Sequence, residues 1–558
     1  MSANTLLAGR RRFAAVWLDQ WFIHGGKTAL FLFLLLGLLF PLLAMLAKAF
    51  SGSLENFSEL ISGHFWRLLV NSINVSSCTV AVVIPLAYLF AYGLQRTRFR
   101  GRALFRGMTL LPLMAPSMLS AISLIYLFGN QGLLRSWFPH GIYGFPGILI
   151  GQTFYNFPVA LMIFVSALSM TDGRLYDAAI SMGARHIRIF LTITWPQTRH
   201  AVFAASSLVF TQTITDFGIP VIIGGDYNVL ATEAYKAIIG QQQFAYGAMI
   251  GALLLVPAIV SFVIDRWMRR LQSGLGSRAA PYRIERNPQR DALYFSITAI
   301  VSLAFLAIMV TAAAASFIGF WPYDMSFSLR HYDFETSGGV GWMAFRNSLR
   351  FSLLTALIGT PLVLTSSYLM ERALAPHPLD GPLKLLCLLP MAVPGLVMGL
   401  GYVFFFNAPA NPLNGLYGGM ALMVICCIVH FFTPAQMTAN AALSRISRDF
   451  EAASVSLKVP LLVTCLRVIL PMCLSTAVEI LRYLFVSAIT SVSALMFLYS
   501  PDTILASVAI LNMDDAGNIG GAAALSTLIL TTSTIASLLL KAFSGLLLKR
   551  TEAWRTRH

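Results

Sequence analysis

The chain has 558 residues, 57% of them hydrophobic and 11% charged, with a mean hydropathy of +0.73, which excludes a water-soluble globular domain. Its formal net charge is +16, but the basic residues are scattered among loops between apolar runs, so membrane topology accounts for them and no nucleic-acid partner is expected. The alternation of a membrane β-barrel is absent, which leaves helices as the means of satisfying the backbone in lipid.

From the N-terminus, residues 1–28 form a short cytoplasmic segment that ends in HGGKTAL. Gly26-Lys27-Thr28 imitates the tail of a phosphate-binding loop, but Trp21 stands where that motif needs its first glycine, and a membrane span follows. Lys27 reads as an interfacial anchor. The apolar run at 29–50 is too long and too deep in the chain for a cleaved signal and remains as the first span. Further runs follow at 69–94, 108–128, 146–170, 199–223 and 244–265, then at 292–318, 347–370, 383–406, 417–438, 472–498 and 519–541.

The expected fold is an all-α, polytopic membrane protein of about twelve transmembrane helices. A first six-span domain covers 29–265, a basic linker 266–291, a second six-span domain 292–541 and a tail 542–558. Roughly 30 of the 39 lysines and arginines fall in alternate loops, and the positive-inside rule places those loops, the linker and both termini in the cytoplasm. Cys78, Cys387, Cys426, Cys427, Cys465 and Cys473 form no CxxC pair and read as packed thiols.

The two halves repeat. Asn71-Ser72 recurs as Asn347-Ser348, Pro85 as Pro361, LLPLMAP (110–116) as LLPMAVP (388–394), Pro158 as Pro434, and Thr215 as Thr490. Every offset lies at about 275 to 278 residues. Both halves share one inside-outside order, so the repeat is parallel, with a central pathway between the halves as its consequence.

The loop at 177–197 reads DAAISMGARHIRIFLTITWPQ. Asp177 puts negative charge at the start of a short helix, Ala178 and Ala179 let another surface approach, Gly183 allows a sharp turn, and Pro196 opens the next span. It resembles the EAA loop, E-A-A-x3-G-x9-I-x-L-P, of MetI-like permeases from binding-protein-dependent ABC importers, with Asp177 for Glu and Trp195 for Leu. The repeat supplies a second copy, EAASVSLKVPLLVTCLRVILP, at 451–471. Counted back from Pro471, Lys458 takes the glycine position and Ala452 the acidic one, followed by Ala453 and preceded by Glu451. Counted forward from Glu451, Leu457 would take the glycine position; the proline register keeps the offset of the repeat and is adopted. Either loop alone is equally a basic connector. Two at equivalent positions carry the resemblance.

The resemblance covers nearly the whole chain as two fused permease domains of the MetI-like type I importer fold. It implies a permease subunit in the bacterial inner membrane that is not itself an enzyme and binds no cofactor. Two copies of a separate ATPase subunit would bind ATP and Mg and dock on Asp177, Ala178, Ala179, Gly183, Glu451, Ala452, Ala453 and Lys458. A periplasmic binding protein would deliver a small solute. The stretches 215–244 and 490–517 look most like the 2-aminoethylphosphonate branch of the family, with ferric iron or thiamine as the alternative.

Within the spans, Asp216, Glu479 and Arg482 are costly unless they face protein or water. Glu479 and Arg482 stand one turn apart and can neutralise each other. Thr213, Thr215 and Asp216, with Thr490, Ser491 and Ser493 in the other half, are the candidate substrate-pathway residues. Asn71 and Asn347 read as helix caps, His430 as a core histidine, and the paired prolines 112/116 and 390/394 as kinks, static or moving. An ion-coupled secondary transporter also suits twelve spans and a parallel repeat, but not two EAA-like loops. For a membrane enzyme the sequence lacks a ligand or nucleophile constellation.

Overall fold

The computed structural model describes residues 19–51, 63–272, 280, 282, 284, 287–334, 340–372 and 376–551. Part of the N-terminal segment, part of the linker and the end of the tail lie outside the described residues. The principal helices of the first half are α1 (Trp21–Phe50), α2 (Gly63–Arg96), α3 (Arg102–Leu110), α4 (Ser117–Phe128), α5 (Phe145–Ser169), α6 (Gly173–Ser181), α7 (Trp195–Thr215) and α8 (Phe244–Gln272). Those of the second half are α9 (Pro288–Ser316), α10 (Gly341–Glu371), α11 (Asp380–Leu388), α12 (Gly395–Phe406), α13 (Met420–His430), α14 (Phe432–Leu443), α15 (Asp449–Ser456), α16 (Leu474–Thr490) and α17 (Ile519–Thr551). A small antiparallel hairpin, β1 (Ile318–Phe320) with β2 (Asp324–Phe327), follows α9.

Among the described residues, seven helices are long and apolar enough to cross a membrane, and four bent pairs raise the number to as many as eleven. The runs expected at 108–128 and 383–406 are not straight spans. Each breaks at its second proline, by 105° between α3 and α4 and by 116° between α11 and α12. The cause is local: a 3₁₀ turn at Leu111–Met114 or Leu389–Ala392 tightens the chain, and the following proline forces Ala115 and Val393 into extended backbone. Ahead of Pro196 and Pro471 the chain instead widens into π turns, Phe190–Thr194 and Cys465–Ile469, which absorb the missing proline N–H. The halves differ at the next proline, since α5 runs straight through Pro158 while α13 and α14 meet at 55°.

Two compact units form, and each takes helices from both halves of the sequence. One holds the described residues up to 45 with 346–505 and those from 531 onward; the other holds 46–345 and 506–530. In the first, Tyr402 Oη of α12 donates to the carbonyl of Gly37 in α1 at 2.6 Å, and the rings of Phe40 and Phe405 lie 5.8 Å apart. In the second, Phe305 of α9 packs 4.8 Å from both Phe154 and Phe157 of α5, in a core that includes Phe90 and Phe164. The packing units therefore differ from the contiguous domains 29–265 and 292–541, because the side chains that complement α1 and α9 lie on the other half's helices. Lys27 is not a lipid-facing anchor: it is 2% exposed and pairs with Asp380 Oδ1 at 2.8 Å.

Candidate functional site

The loop around Asp177 folds as the nine-residue helix α6, and Asp177 does not begin it. Asp172 is the N-cap, its Oδ1 accepting from the Arg174 N–H at 3.1 Å, as short polar caps do. Asp177 and Ala178 sit on the exposed side; Tyr176 and Ala179 turn inward and pack with Ile189. The helix ends in a Schellman motif: Ala184 N–H donates to the Ala179 carbonyl at 3.0 Å and Gly183 N–H to that of Ile180 at 2.9 Å. Gly183 supplies the left-handed residue this needs, at φ +72°.

The second loop repeats the motif. Helix α15 closes with Val459 N–H donating to the Ser454 carbonyl at 2.9 Å and Lys458 N–H to that of Val455 at 3.1 Å, with Lys458 itself at φ +59°. Lys458 and Gly183 thus hold the same cap position, 275 residues apart, as the proline register has it. Ala452 and Ala453 are exposed. Glu451, grouped with them from the sequence, is not on that face: it is buried at 5% exposure and clamped by Arg372.

Both helices hang from a buried arginine at the end of an earlier long helix of the same half, a feature the sequence reading missed although Arg96 and Arg372 share the repeat offset. Arg372 forms a two-pronged pair with Glu451, Nε to Oε1 and Nη2 to Oε2 both at 2.7 Å. Its remaining protons go to the carbonyls of Leu443, Ile446 and Ser447, the saturation that a buried guanidinium requires. Arg96, 2% exposed, pairs with no carboxylate among the described residues. It donates to the Leu168 carbonyl, Thr171 Oγ1 and Tyr176 Oη, and stacks over Tyr176 at 4.7 Å and Tyr282 at 4.1 Å. Tyr282 comes from the linker. Ala280, beside it, accepts from Gly173 N–H at 2.8 Å and donates to Asp172 Oδ1 at 3.2 Å, so the linker straps α6 down.

The outward surfaces of both loops carry exposed apolar side chains. Met182 is 80% exposed and Ile187 76% on one loop, Leu457 76% on the other, with Val455 beside it. Such patches on a polar loop mark an interaction surface.

Of the six substrate-pathway candidates, Thr213, Thr215 and Asp216 belong to one packing unit and Thr490, Ser491 and Ser493 to the other. Thr213 and Asp216 join a buried network with Gln152 and Asn156 of α5. Asp216 Oδ2 accepts from Gln152 Nε2 at 2.7 Å and from Ile219 N–H at 3.1 Å, and Asn156 Nδ2 reaches Gln152 Oε1 at 3.0 Å and Thr213 Oγ1 at 3.3 Å. Gln152 and Asn156, one turn apart in an apolar run, were the overlooked signal. Thr215 and Thr490 bond back to the carbonyls of Thr211 and Val486 in their own helices. Ser491 and Ser493 are half-buried in the chain after α16. Asn71 and Asn347 are not caps, since α2 and α10 begin earlier; they donate to the carbonyl of Asn228 and to those of Asp502 and Ile504.

Residues 83–276 and 363–548 each match the family described as binding-protein-dependent transport system inner membrane component, and the chain belongs to that family. Among curated proteins it is similar to the ferric transport system permease protein FbpB of Actinobacillus pleuropneumoniae, at 26% identity over 91% of this chain and 76% of that one. It is also similar to the putative ferric transport system permease protein FbpB 1 of Haemophilus influenzae, at 26% identity over 86% and 79%. The thiamine transport system permease protein ThiP of Escherichia coli matches at 24% identity over 62% of this chain and 63% of its own.

Proposed function

We propose that this chain is the membrane-spanning permease of an ATP-driven importer, receiving cargo from a periplasmic binding protein, and that the cargo is ferric iron. The observation that carries the permease reading is the pair of exposed loop helices, α6 and α15, ending in the same cap 275 residues apart. Two copies of an ATPase subunit carrying ATP and Mg would dock there from the cytoplasm, where both termini also lie. Their closure would press on Ala178, Ile180 and Met182 on one side and on Ala452, Val455 and Leu457 on the other. Arg96 would pass the push from α6 to α2, and the Tyr176–Thr194 hydroxyl contact at 3.0 Å to the segment leading into α7. Arg372 would do the same for α15 and α10. Rocking of these helices is the domain movement that alternating access requires.

The ferric assignment rests on two relatives aligned along most of the chain that are ferric permeases by name. The 2-aminoethylphosphonate reading gives way to it, since the relatives described above are ferric and thiamine permeases by name. The test replaces Gly183 with Trp. A Cβ there meets nothing within 4 Å, so the damage falls on the turn and the docking face and leaves the core alone. The variant is expected to insert normally, to lose ATPase co-purification and to lose iron-55 uptake in cells lacking the native chain. Full uptake with normal co-purification would refute the docking role. Calorimetry of the partner binding protein with ferric iron, thiamine and aminoethylphosphonate tests the cargo, and tight binding of either organic compound without iron would overturn it.

A further inference from the structure

Glu479 and Arg482 were expected to neutralise each other, yet no ion pair among the described residues includes either of them or Lys541. These three charges instead line a cavity of about 80 Å³ between α16 and α17, together with Val478, Leu540 and Ser544. That is room for ordered water or for one compact polar group. Glu479 and Lys541 are exposed, Arg482 is half-buried, and Ser544 is buried with its hydroxyl 3.5 Å from the Ser475 carbonyl.

The first half makes the contrast. Its equivalent helices, α7 and α8, are closed at this level by Ser207 and Ser261, whose hydroxyls meet at 2.7 Å, and Ala204 and Ser207 stand at the positions of Glu479 and Arg482. Glu479 and Arg482 thus stand where the first half has neutral side chains, while Lys541, by the same offset, falls opposite Arg266. Unpaired charges inside a span cost free energy unless something polar meets them.

Position and surroundings say what does. Glu479 and Arg482 lie five and eight residues past the start of α16, about 8 and 12 Å along it, within reach of the headgroup layer for a long cationic side chain. Around Lys541, Leu538, Leu539, Phe543 and Leu546 are all exposed, so the cavity opens on an apolar face suited to acyl chains. Two cations and one carboxylate match a group that bears a phosphate and an ammonium together.

We propose that Arg482, Lys541 and Glu479 form a binding site for a phospholipid with a primary-amine headgroup, of the phosphatidylethanolamine type. Arg482 and Lys541 take the phosphate, as basic pockets between membrane helices do, and Glu479 takes the ammonium, which donates hydrogen bonds that a trimethylammonium cannot. On the proposed function, which puts α6 and α15 in the cytoplasm, the site lies in the inner leaflet; the headgroup chemistry does not rest on that reading.

The experiment is native mass spectrometry of the full chain, purified in detergent and supplemented with phosphatidylethanolamine, phosphatidylcholine or phosphatidylglycerol of identical acyl chains. The wild type is expected to retain the ethanolamine lipid about tenfold better than the choline lipid, the worth of one charge-assisted hydrogen bond. Glu479→Gln should erase that preference while phospholipid is still retained. Lys541→Gln, at an exposed position that does not threaten folding, should lower retention of all three. Equal retention of the three lipids by the wild type, or an unchanged Lys541→Gln, overturns the proposal. Displacement of the lipid by soluble phosphoethanolamine would give the cavity to a solute and overturns it too.

Discussion

At the cap of α15 a lysine holds the left-handed backbone, φ +59°, that its twin leaves to Gly183 at φ +72°. A side chain in that conformation costs roughly 1 kcal/mol. Lys458→Gly is therefore expected to stabilise the last turn of α15 by about 1 kcal/mol, seen as several-fold slower amide exchange over 449–456; faster exchange would contradict it. The twinning of Lys458 with Gly183 was legible in the sequence because proline spacing and repeat offset are properties of the chain alone. The burial of Glu451 was not, because its partner Arg372 lies 79 residues away, and a carboxylate beside two alanines looks the same whether it faces water or a guanidinium. Asp177 misled for a related reason: any acidic residue near the start of a helix suits its dipole, and only the hydrogen bonds show that Asp172 is the one in place.

The two loop helices share one backbone and differ in their fastenings. Helix α15 is held by a buried ion pair, and breaking such pairs costs about 3–5 kcal/mol. Helix α6 is held by an arginine between two tyrosines and by the linker strap at Ala280 and Tyr282. Tyr282→Ala removes one cation–π contact and one edge-on ring contact, the latter 4.8 Å from Tyr176, together worth about 1–2 kcal/mol. Amide exchange over 173–181 should accelerate by roughly the corresponding 5- to 30-fold, while 449–456 serves as an unaffected control. Equal acceleration of both helices would show that the strap is not specific to α6. The same contrast explains the bent spans: the prolines announced a break, but the angles of 105° and 116° follow from the extended residue that each proline imposes on its neighbour.

On the scale of the whole molecule, neither half of the sequence is a packing unit. Helix α1 packs on α12 and its neighbours, and α9 on α2 and α5. A chain cut in the linker, between residues 272 and 280, is accordingly expected to yield halves that are each unstable in detergent when expressed alone and that co-purify when expressed together. A monodisperse, stable half on its own would contradict this. Hydropathy, the positive residues and the offset of the repeat determined from the sequence alone that the protein is a helical, two-fold repeated membrane protein with two loops of one kind, because each is a local or periodic property. Tertiary structure alone decided which half each first helix joins, which face of each loop is free, and which charges are paired. Those outcomes depend on contacts such as that between Gly37 and Tyr402, 365 residues apart, and side-chain complementarity at that distance leaves no period in the sequence to read.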